Sequence, residues 1–261
     1  MDNHLDIKNV TLDVILPVYN EEAALPLGVQ TLHSFLSTST YPDWRITIVD
    51  NGSTDNTQRV ARALVGKYPQ VHAMFLTEKG RGRALKAAWL CSDAKVLSYM
   101  DIDLSTDLNS LPQMVDAIMH QGYDMAVGSR LAAGAKVTRT IRREIISRCY
   151  MLLIKFLFRT RFSDAQCGFK ALSHGAARAL LPHIRDNEWF LDTELLITAE
   201  KCGFRIKDVP VTWLEDPDSR VAIIQTAWRD LKGLCRLRFG GLAQAELPNS
   251  TTPECQRDLS F

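Results

Sequence analysis

The chain has 261 residues, 46% of them hydrophobic and 23% charged, which suits one sizeable globular domain and excludes disordered, collagen-like and disulfide-stapled architectures. Lys and Arg number 31 against 30 Asp and Glu, a net charge of +1, which argues against a chain whose main work is coating nucleic acid. Cys91, Cys149, Cys167, Cys202, Cys235 and Cys255 form no C-x-x-C pair and no zinc spacing, so they read as reduced cytosolic thiols.

Residues 1–13 are polar and acidic, with neither the basic nor the apolar stretch of a secretory signal. No apolar run reaches the roughly 18 residues that a spanning helix requires. Apolar, β-branched runs then recur at 12–18, 46–49, 71–76, 96–100 and 125–127, each a candidate buried strand. Helical periodicity fills the gaps, over about 21–37, 55–66, 82–92 and 109–121, the last opened by Asn109, Ser110 and Pro112. Strand and helix alternate, so the first half predicts an α/β fold with a mainly parallel sheet, whose ligands bind beyond the carboxyl ends of the strands. From about 130 to 163 this rhythm stops for a basic loop and an apolar-basic helix, Ile141 to Phe158. The second half predicts a strand at 167–172, helices near 174–182 and 190–202, a strand at 205–211 and an amphipathic helix over about 221–238. Residues 241–261 read as a flexible tail after a single domain at 1–240.

Three strand ends carry the chemistry. The first runs into Pro17-Val18-Tyr19-Asn20-Glu21-Glu22 and the second into Asp50-Asn51-Gly52-Ser53-Thr54-Asp55. A helix start offers backbone N–H groups to an anion, and an Asp at a strand end accepts from a base N–H or a ribose hydroxyl. The plainer alternative is a turn with helix capping by Ser53 or Thr54. The fourth strand runs into Asp101-Ile102-Asp103, and residues two apart in extended chain point the same way. Such a pair suits a hard cation, Mg²⁺ or Mn²⁺, shared with substrate phosphates; alone it is equally a solvated acidic turn.

Taken together, in this order and spacing, these motifs resemble family 2 glycosyltransferases of the GT-A fold, a single Rossmann-like domain. Gly128-Ser129-Arg130, Arg143 with Ser147, Asp164-Ala165-Gln166-Cys167-Gly168-Phe169-Lys170 and Trp189-Phe190-Leu191-Asp192-Thr193-Glu194 are similar to the polyprenyl-phosphate (dolichyl-phosphate) sugar synthases. With Val209-Pro210-Val211-Thr212-Trp213 and Asp218-Ser219-Arg220, the likeness is greatest to the dolichyl-phosphate glucosyltransferase branch and covers about residues 12–239. The resemblance implies a metal-dependent, inverting transfer of a hexose from UDP-glucose or GDP-mannose to a polyprenyl phosphate. It implies nucleotide contacts at Pro17, Tyr19, Glu21, Ile48, Asp50, Asp101, Ile102 and Asp103, with the metal on Asp101 and Asp103. It further implies that Arg130 faces the sugar diphosphate, that Arg143 and Ser147 hold the acceptor phosphate, and that Ser219 and Arg220 form a donor-side loop. Asp103, Arg130, Arg143 and Asp164 are the expected catalytic residues. Asp164 stands open between orienting the acceptor, assisting proton transfer and a turn role, and Asp192 and Glu194 between the site and a helix first turn. Glu78-Lys79-Gly80-Arg81-Gly82-Arg83-Ala84 resembles the family's glycine-basic-glycine turn but departs from it at Glu78 and Arg83.

Between 136 and 161 stand eight basic residues against Glu144 alone, a local charge of +7. Ile145, Cys149, Leu152 and Phe156, joined by Ile146 and Leu153, form one face of the expected helix, and Glu144, Arg148, Met151 and Lys155 share another. A basic amphipathic helix of this kind predicts contact with the headgroup region of an anionic leaflet, aided by the helix at 221–238 through Trp228, Leu231 and Leu234. Core packing with a solvated basic side is the alternative. The expected partners are thus a nucleotide-sugar donor, a polyprenyl phosphate and the cytoplasmic face of a membrane, with a separate membrane protein as a further possibility and no nucleic acid. A soluble acceptor and a non-catalytic sugar-nucleotide binder are the competing readings.

Overall fold

The computed structural model describes residues 10–214 and 223–240. The elements follow in chain order: β1 (Leu12–Val18), α1 (Leu25–Ser37), β2 (Trp44–Asn51), α2 (Thr57–Lys67), β3 (Val71–Leu76), α3 (Arg81–Cys91), β4 (Val96–Met100), α4 (Leu111–Met119), β5 (Met125–Ser129), β6 (Lys136–Thr138), α5 (Ile141–Phe158), β7 (Phe169–Ser173), α6 (His174–Leu180), α7 (Leu191–Lys201), β8 (Ile206–Pro210), β9 (Thr212–Leu214) and α8 (Ile223–Phe239). The expected tail at 241–261 and the expected donor-side loop with Ser219 and Arg220 lie outside the described residues.

Seven strands form one sheet in the order β3-β2-β1-β4-β7-β5-β8. All pairs are parallel except those of β7, which runs antiparallel to both β4 and β5. The order reverses at β1, so the ends of β1 and β4 open the crevice where such sheets bind ligands. Two-residue alternation sorts the core onto the two faces of the sheet. Val14, Leu16, Ile48, Val96 and Met100 join the cluster under α1 and α4, whereas Ile15, Val49, Leu97, Tyr99 and Val127 join that under α3, α5 and α7.

The strands and helices expected from periodicity are present within a few residues. β6 and β9 were not expected. Each has three residues without an apolar run and exists only because Lys136–Thr138 pairs with Thr212–Leu214. A bridge from Thr106 to Trp213, with Asp107 N–H donating to Thr212 O at 2.9 Å and Leu214 N–H to Ser105 O at 2.9 Å, ties β9 to the turn after β4. α4 is preceded by a tight turn at Leu108–Ser110 that Asp107, not Asn109, caps.

On α5 the buried side chains are Met151, Ile154 and Phe158. The apolar face anticipated at Ile145, Leu152 and Phe156 lies outward, with exposures of 56%, 66% and 83%. Met151, expected beside Arg148 and Lys155, turns inward. The core cluster shared with α3 and α7 takes only a narrow stripe of this helix, so the rest of its apolar surface stays uncovered.

Candidate active site

The turns after β1 and β2 are bolted together by side-chain bonds. Asn20 N–H donates to Ser53 Oγ at 2.9 Å and Thr54 N–H to Asn20 Oδ1 at 2.8 Å; Glu21 N–H donates to Thr57 Oγ1 at 2.8 Å and Asn56 N–H to Glu22 Oε2 at 2.9 Å. Ser53 and Thr54 therefore cross-link turns instead of capping α2, whose first N–H is taken by Asp55 Oδ1 at 2.9 Å. Asn20 at φ 55° and Gly52 at φ 72° supply the left-handed backbone that these tight turns require.

Asp50, one residue before the end of β2, is fully buried. Its Oδ2 accepts from Gln58 Nε2 at 2.8 Å, while Oδ1 has no hydrogen-bond partner among the described residues. Pro17 and Tyr19 are half-buried beside it at the end of β1, and Lys79 stacks on the Tyr19 ring at 3.7 Å. Glu21 is half-buried too. Ile48 and Ile102 belong to the core cluster under α1, so what they present to a ligand is backbone.

At the end of β4, Asp101 is half-buried and Asp103 exposed, and Leu104 follows with φ 52°, an uncommon conformation for a branched side chain. Gly168 allows the Asp101 carboxylate to lie against the β7 entry: a Cβ there would fall 1.8 Å from Asp101 Oδ2. Asp101 Oδ1 accepts from Arg81 at 2.9 Å, and Arg81 reaches Asp192 Oδ2 at 2.8 Å with its other arm. Asp192 Oδ1 pairs with Lys170 Nζ at 2.9 Å and with the Tyr99 hydroxyl, and Lys170 also donates to Cys167 O at 2.7 Å. Two carboxylates and two cations alternate from the half-buried Asp101 inward to the buried Lys170, so the set carries no net charge. Burial pushes the Asp192 carboxyl up, but Lys170 and Arg81 outweigh it and hold it below the usual carboxylate range.

Arg130 follows β5, its guanidinium gripped by Asp164 at 2.8 and 3.0 Å and facing the Trp213 ring at 5.5 Å. Asp164 is 2% exposed. Burial raises its pKa, yet Arg130 overcomes this and keeps it below the ordinary value. With both oxygens engaged, Asp164 holds Arg130 in place and is a poor proton acceptor. On the first turns of α5, Arg143 and Ser147 are half-buried one turn apart, and Arg139 donates to Ser147 Oγ at 3.2 Å while pairing with Glu144. β6 and β9 bring the start of α5 to the same rim as the Asp101 turn.

Glu194 serves as an anchor. It accepts from Asp186 N–H at 2.8 Å and pairs with Arg236 of α8 at 2.8 Å. Arg81, Lys170, Tyr99 and Arg139, which sequence reasoning left unassigned, pair with Asp101, Asp192 or Ser147. The signal available was a basic residue inside the altered glycine turn and one inside the Asp164–Lys170 motif.

Asp230 of α8 is 2% exposed and accepts from Gln166 Nε2 at 2.9 Å, joining α8 to the Asp164 loop. Burial, aided by the negative charges of Asp186 and Asp192, outweighs that hydrogen bond and pushes its carboxyl up to about 7. A raised folded-state pKa favours the fold below the unfolded value and loses that benefit as pH climbs through the folded value. Asp230→Asn is therefore expected to stabilise the fold by an amount that grows between about pH 4 and 7, levels off above, and has an upper limit of roughly 4 kcal/mol. Melting curves of both proteins across that range check it; a difference independent of pH would refute it.

Comparison with known proteins is consistent with this geometry. The profile of the family "Glycosyl transferase family 2" matches residues 13–181. Glycosyltransferase AglD of Haloferax volcanii is 34% identical over 230 residues, which span 86% of this chain but 36% of that relative, about a third of its length. The dolichyl-phosphate beta-glucosyltransferases of Dictyostelium discoideum and Saccharomyces cerevisiae are 29% and 28% identical, covering 92% and 93% of this chain and 77% and 78% of theirs. Among solved structures, glucosyl-3-phosphoglycerate synthase from Mycobacterium tuberculosis superposes with a TM-score of 0.67 in complex with UDP and 0.64 with Mn²⁺ and UDP-glucose. Identities are 19% and 18%, over 92% of this chain and 82% and 81% of that one.

Proposed function

The chain belongs to glycosyl transferase family 2, with the GT-A fold, and from that premise we propose that it moves glucose, with inversion, from a nucleoside-diphosphate sugar to a polyprenyl phosphate at a membrane surface. The observation that carries the reading is the rim shared by the Asp101–Asp103 pair, the Asp164-held Arg130 and the Arg139–Ser147 cluster of α5. Two anionic substrates must meet there, and carboxylates and guanidinium groups are set out to receive them.

Asp50 Oδ1 is a buried acceptor lacking a donor among the described residues, a state that costs about 1–3 kcal/mol, and the ring N–H of a nucleobase is the donor it suits. Asp101 and Asp103 offer hard oxygen ligands that suit a Mg²⁺ or Mn²⁺ ion, with the remaining positions left to a diphosphate. Bound there, the cation would neutralise charge building on the departing diphosphate. Arg81 keeps Asp101 oriented through the oxygen turned away from Gly168. Arg130 faces the diphosphate with its rotamer already fixed by Asp164, so its field costs no reorganisation during transfer. Arg143, with Ser147 braced by Arg139, receives the acceptor phosphate. That phosphate is already an anionic nucleophile, so no general base is required, in keeping with the engaged state of Asp164.

A lipid acceptor is favoured over a soluble one by the uncovered surface of α5 and α8. Ile141, Leu152 and Phe156 are 79%, 66% and 83% exposed, and Trp228 and Phe239 are 61% and 85% exposed. Exposed Arg142, Arg148, Lys155 and Lys232 are interleaved with them. Among the described residues no helix is long and apolar enough to cross a membrane, and this surface suits peripheral attachment to the cytoplasmic leaflet. A separate membrane protein would be accommodated by the same face.

The test is transfer of radiolabel from UDP-glucose, GDP-mannose and UDP-N-acetylglucosamine, each with Mg²⁺ or Mn²⁺ and a polyprenyl phosphate, into organic solvent. Label from UDP-glucose alone is expected. Arg143→Ala is expected to raise the acceptor KM about tenfold, the loss of one charge-assisted phosphate contact, with donor KM unchanged. Absence of lipid label from every donor, with donor binding intact, would overturn the lipid acceptor.

A further inference from the structure

At the far end of α5 from the acceptor cluster, three helices end together around a groove of about 480 Å³. It is lined by Phe156, Leu157, Phe158 and Arg159 of the α5 terminus, Lys201 of α7, and Leu237 and Arg238 of α8. Arg159 follows α5 in the left-handed conformation, φ 52°, which turns the chain sharply at the groove. Arg159, Lys201 and Arg238 are exposed and make no ion pair among the described residues. The nearest acid in sequence, Glu200, is occupied by the N–H groups of Arg161 and Phe162, at 2.8 Å and 3.4 Å.

Three helix C-termini contribute about −0.5 each, roughly −1.5 in all, which would account for part of this basic cluster. Against three full positive charges the balance stays positive. The remaining lining is apolar, and Phe156 beside it is among the most exposed apolar side chains described. A positive rim over an apolar floor is complementary to an anionic amphiphile. It is not the acceptor site: from Arg143 to Arg159 the helix rises sixteen residues at 1.5 Å each, about 24 Å.

We propose that this groove holds the headgroup and first acyl carbons of an anionic phospholipid of the bilayer, apart from the acceptor lipid. Held there and by the stripe from Ile141 to Phe156, α5 would lie flat in the leaflet with the acceptor cluster at its other end. The inference rests on the membrane-facing reading above, so its test is a direct binding measurement that does not involve transfer.

The probe is monomeric short-chain phosphatidylglycerol, titrated calorimetrically into the full chain, with short-chain phosphatidylcholine and inorganic phosphate as comparisons. Saturable one-to-one binding of phosphatidylglycerol alone is expected. Substituting Arg159→Gln, Lys201→Gln and Arg238→Gln together is expected to weaken it about a hundredfold, at about fivefold per charge. Substituting Arg142→Gln, Arg148→Gln and Lys155→Gln on the same helix is expected to leave it within twofold. Transfer to a water-soluble short-chain polyprenyl phosphate should be unchanged in the groove variant, and that assay separately tests the enzyme. Equal weakening in the two triple variants would mean delocalised charge and would overturn the site. So would inorganic phosphate binding as well as the lipid, or binding seen only when the chain is cut after Gly240, which would make residues 241–261 the occupant.

Discussion

Asp103→Ala is expected to reduce sugar transfer at least about a thousandfold, equivalent to roughly 4 kcal/mol of transition-state stabilisation, while the melting midpoint moves by less than a degree or two. Asp103 is exposed at the end of the sheet, and its Oδ1 accepts the Ser105 N–H at 3.0 Å, a short local bond that water replaces. What the substitution removes is one of the two carboxylates proposed to hold a cation, and Asp101 alone, already paired with Arg81, is a poor substitute. Transfer into organic solvent and thermal melting, measured on the same preparations, check both halves. Retained activity would dissolve the metal assignment; a large loss of stability would mean that the residue is structural.

Asp192→Ala has the opposite profile, a stability loss of about 3–5 kcal/mol, because removing one member of a buried charge network leaves its partners uncompensated. Lys170 is wholly buried and Arg81 is 7% exposed, so neither side chain reaches water to recover the lost solvation. Tyr99, Lys170 and Arg81 all lose a bond at once. Pairing Asp192→Leu with Lys170→Met is expected to recover part of the loss, since Arg81 keeps Asp101 and no orphaned lysine remains. Urea unfolding of the single and double variants decides it; a loss below 1 kcal/mol in the single variant would mean that the network is solvated.

The two profiles separate roles that the local sequence does not. Asp103 and Asp192 are both acidic residues at the start of a turn or helix, and both stand in motifs resembling those of the sugar synthases. One lies exposed at the rim, and the other lies beneath it with its charge spent on Lys170 and Arg81. Asp164 belongs with the second kind, its carboxylate committed to Arg130. Glu194, expected either at the site or as a first-turn acid, fastens α8 through Arg236.

The strands were legible because strands buried on both faces are rich in β-branched and aliphatic residues, as Val14-Ile15-Leu16 of β1 and Val96-Leu97 of β4 show, with Asp13 and Ser98 as buried polar exceptions. The Asp101–Asp103 pair was picked out by its spacing in an extended chain, but β4 ends at Met100 and the two acids stand in the turn beyond it, Asp101 half-buried against Gly168 and Asp103 exposed. Tertiary structure alone decided the partners of each charge, since Arg81 finds Asp192 111 residues away and Gln166 finds Asp230 64 residues away, separations over which no local periodicity carries information. It decided β6 and β9, which exist only as each other's pairing. It also decided which side of α5 is buried. The helical pattern admits several apolar stripes, and the choice falls to the hydrophobic core under α3, α5 and α7, which takes Met151, Ile154 and Phe158 and leaves Ile145, Leu152 and Phe156 uncovered.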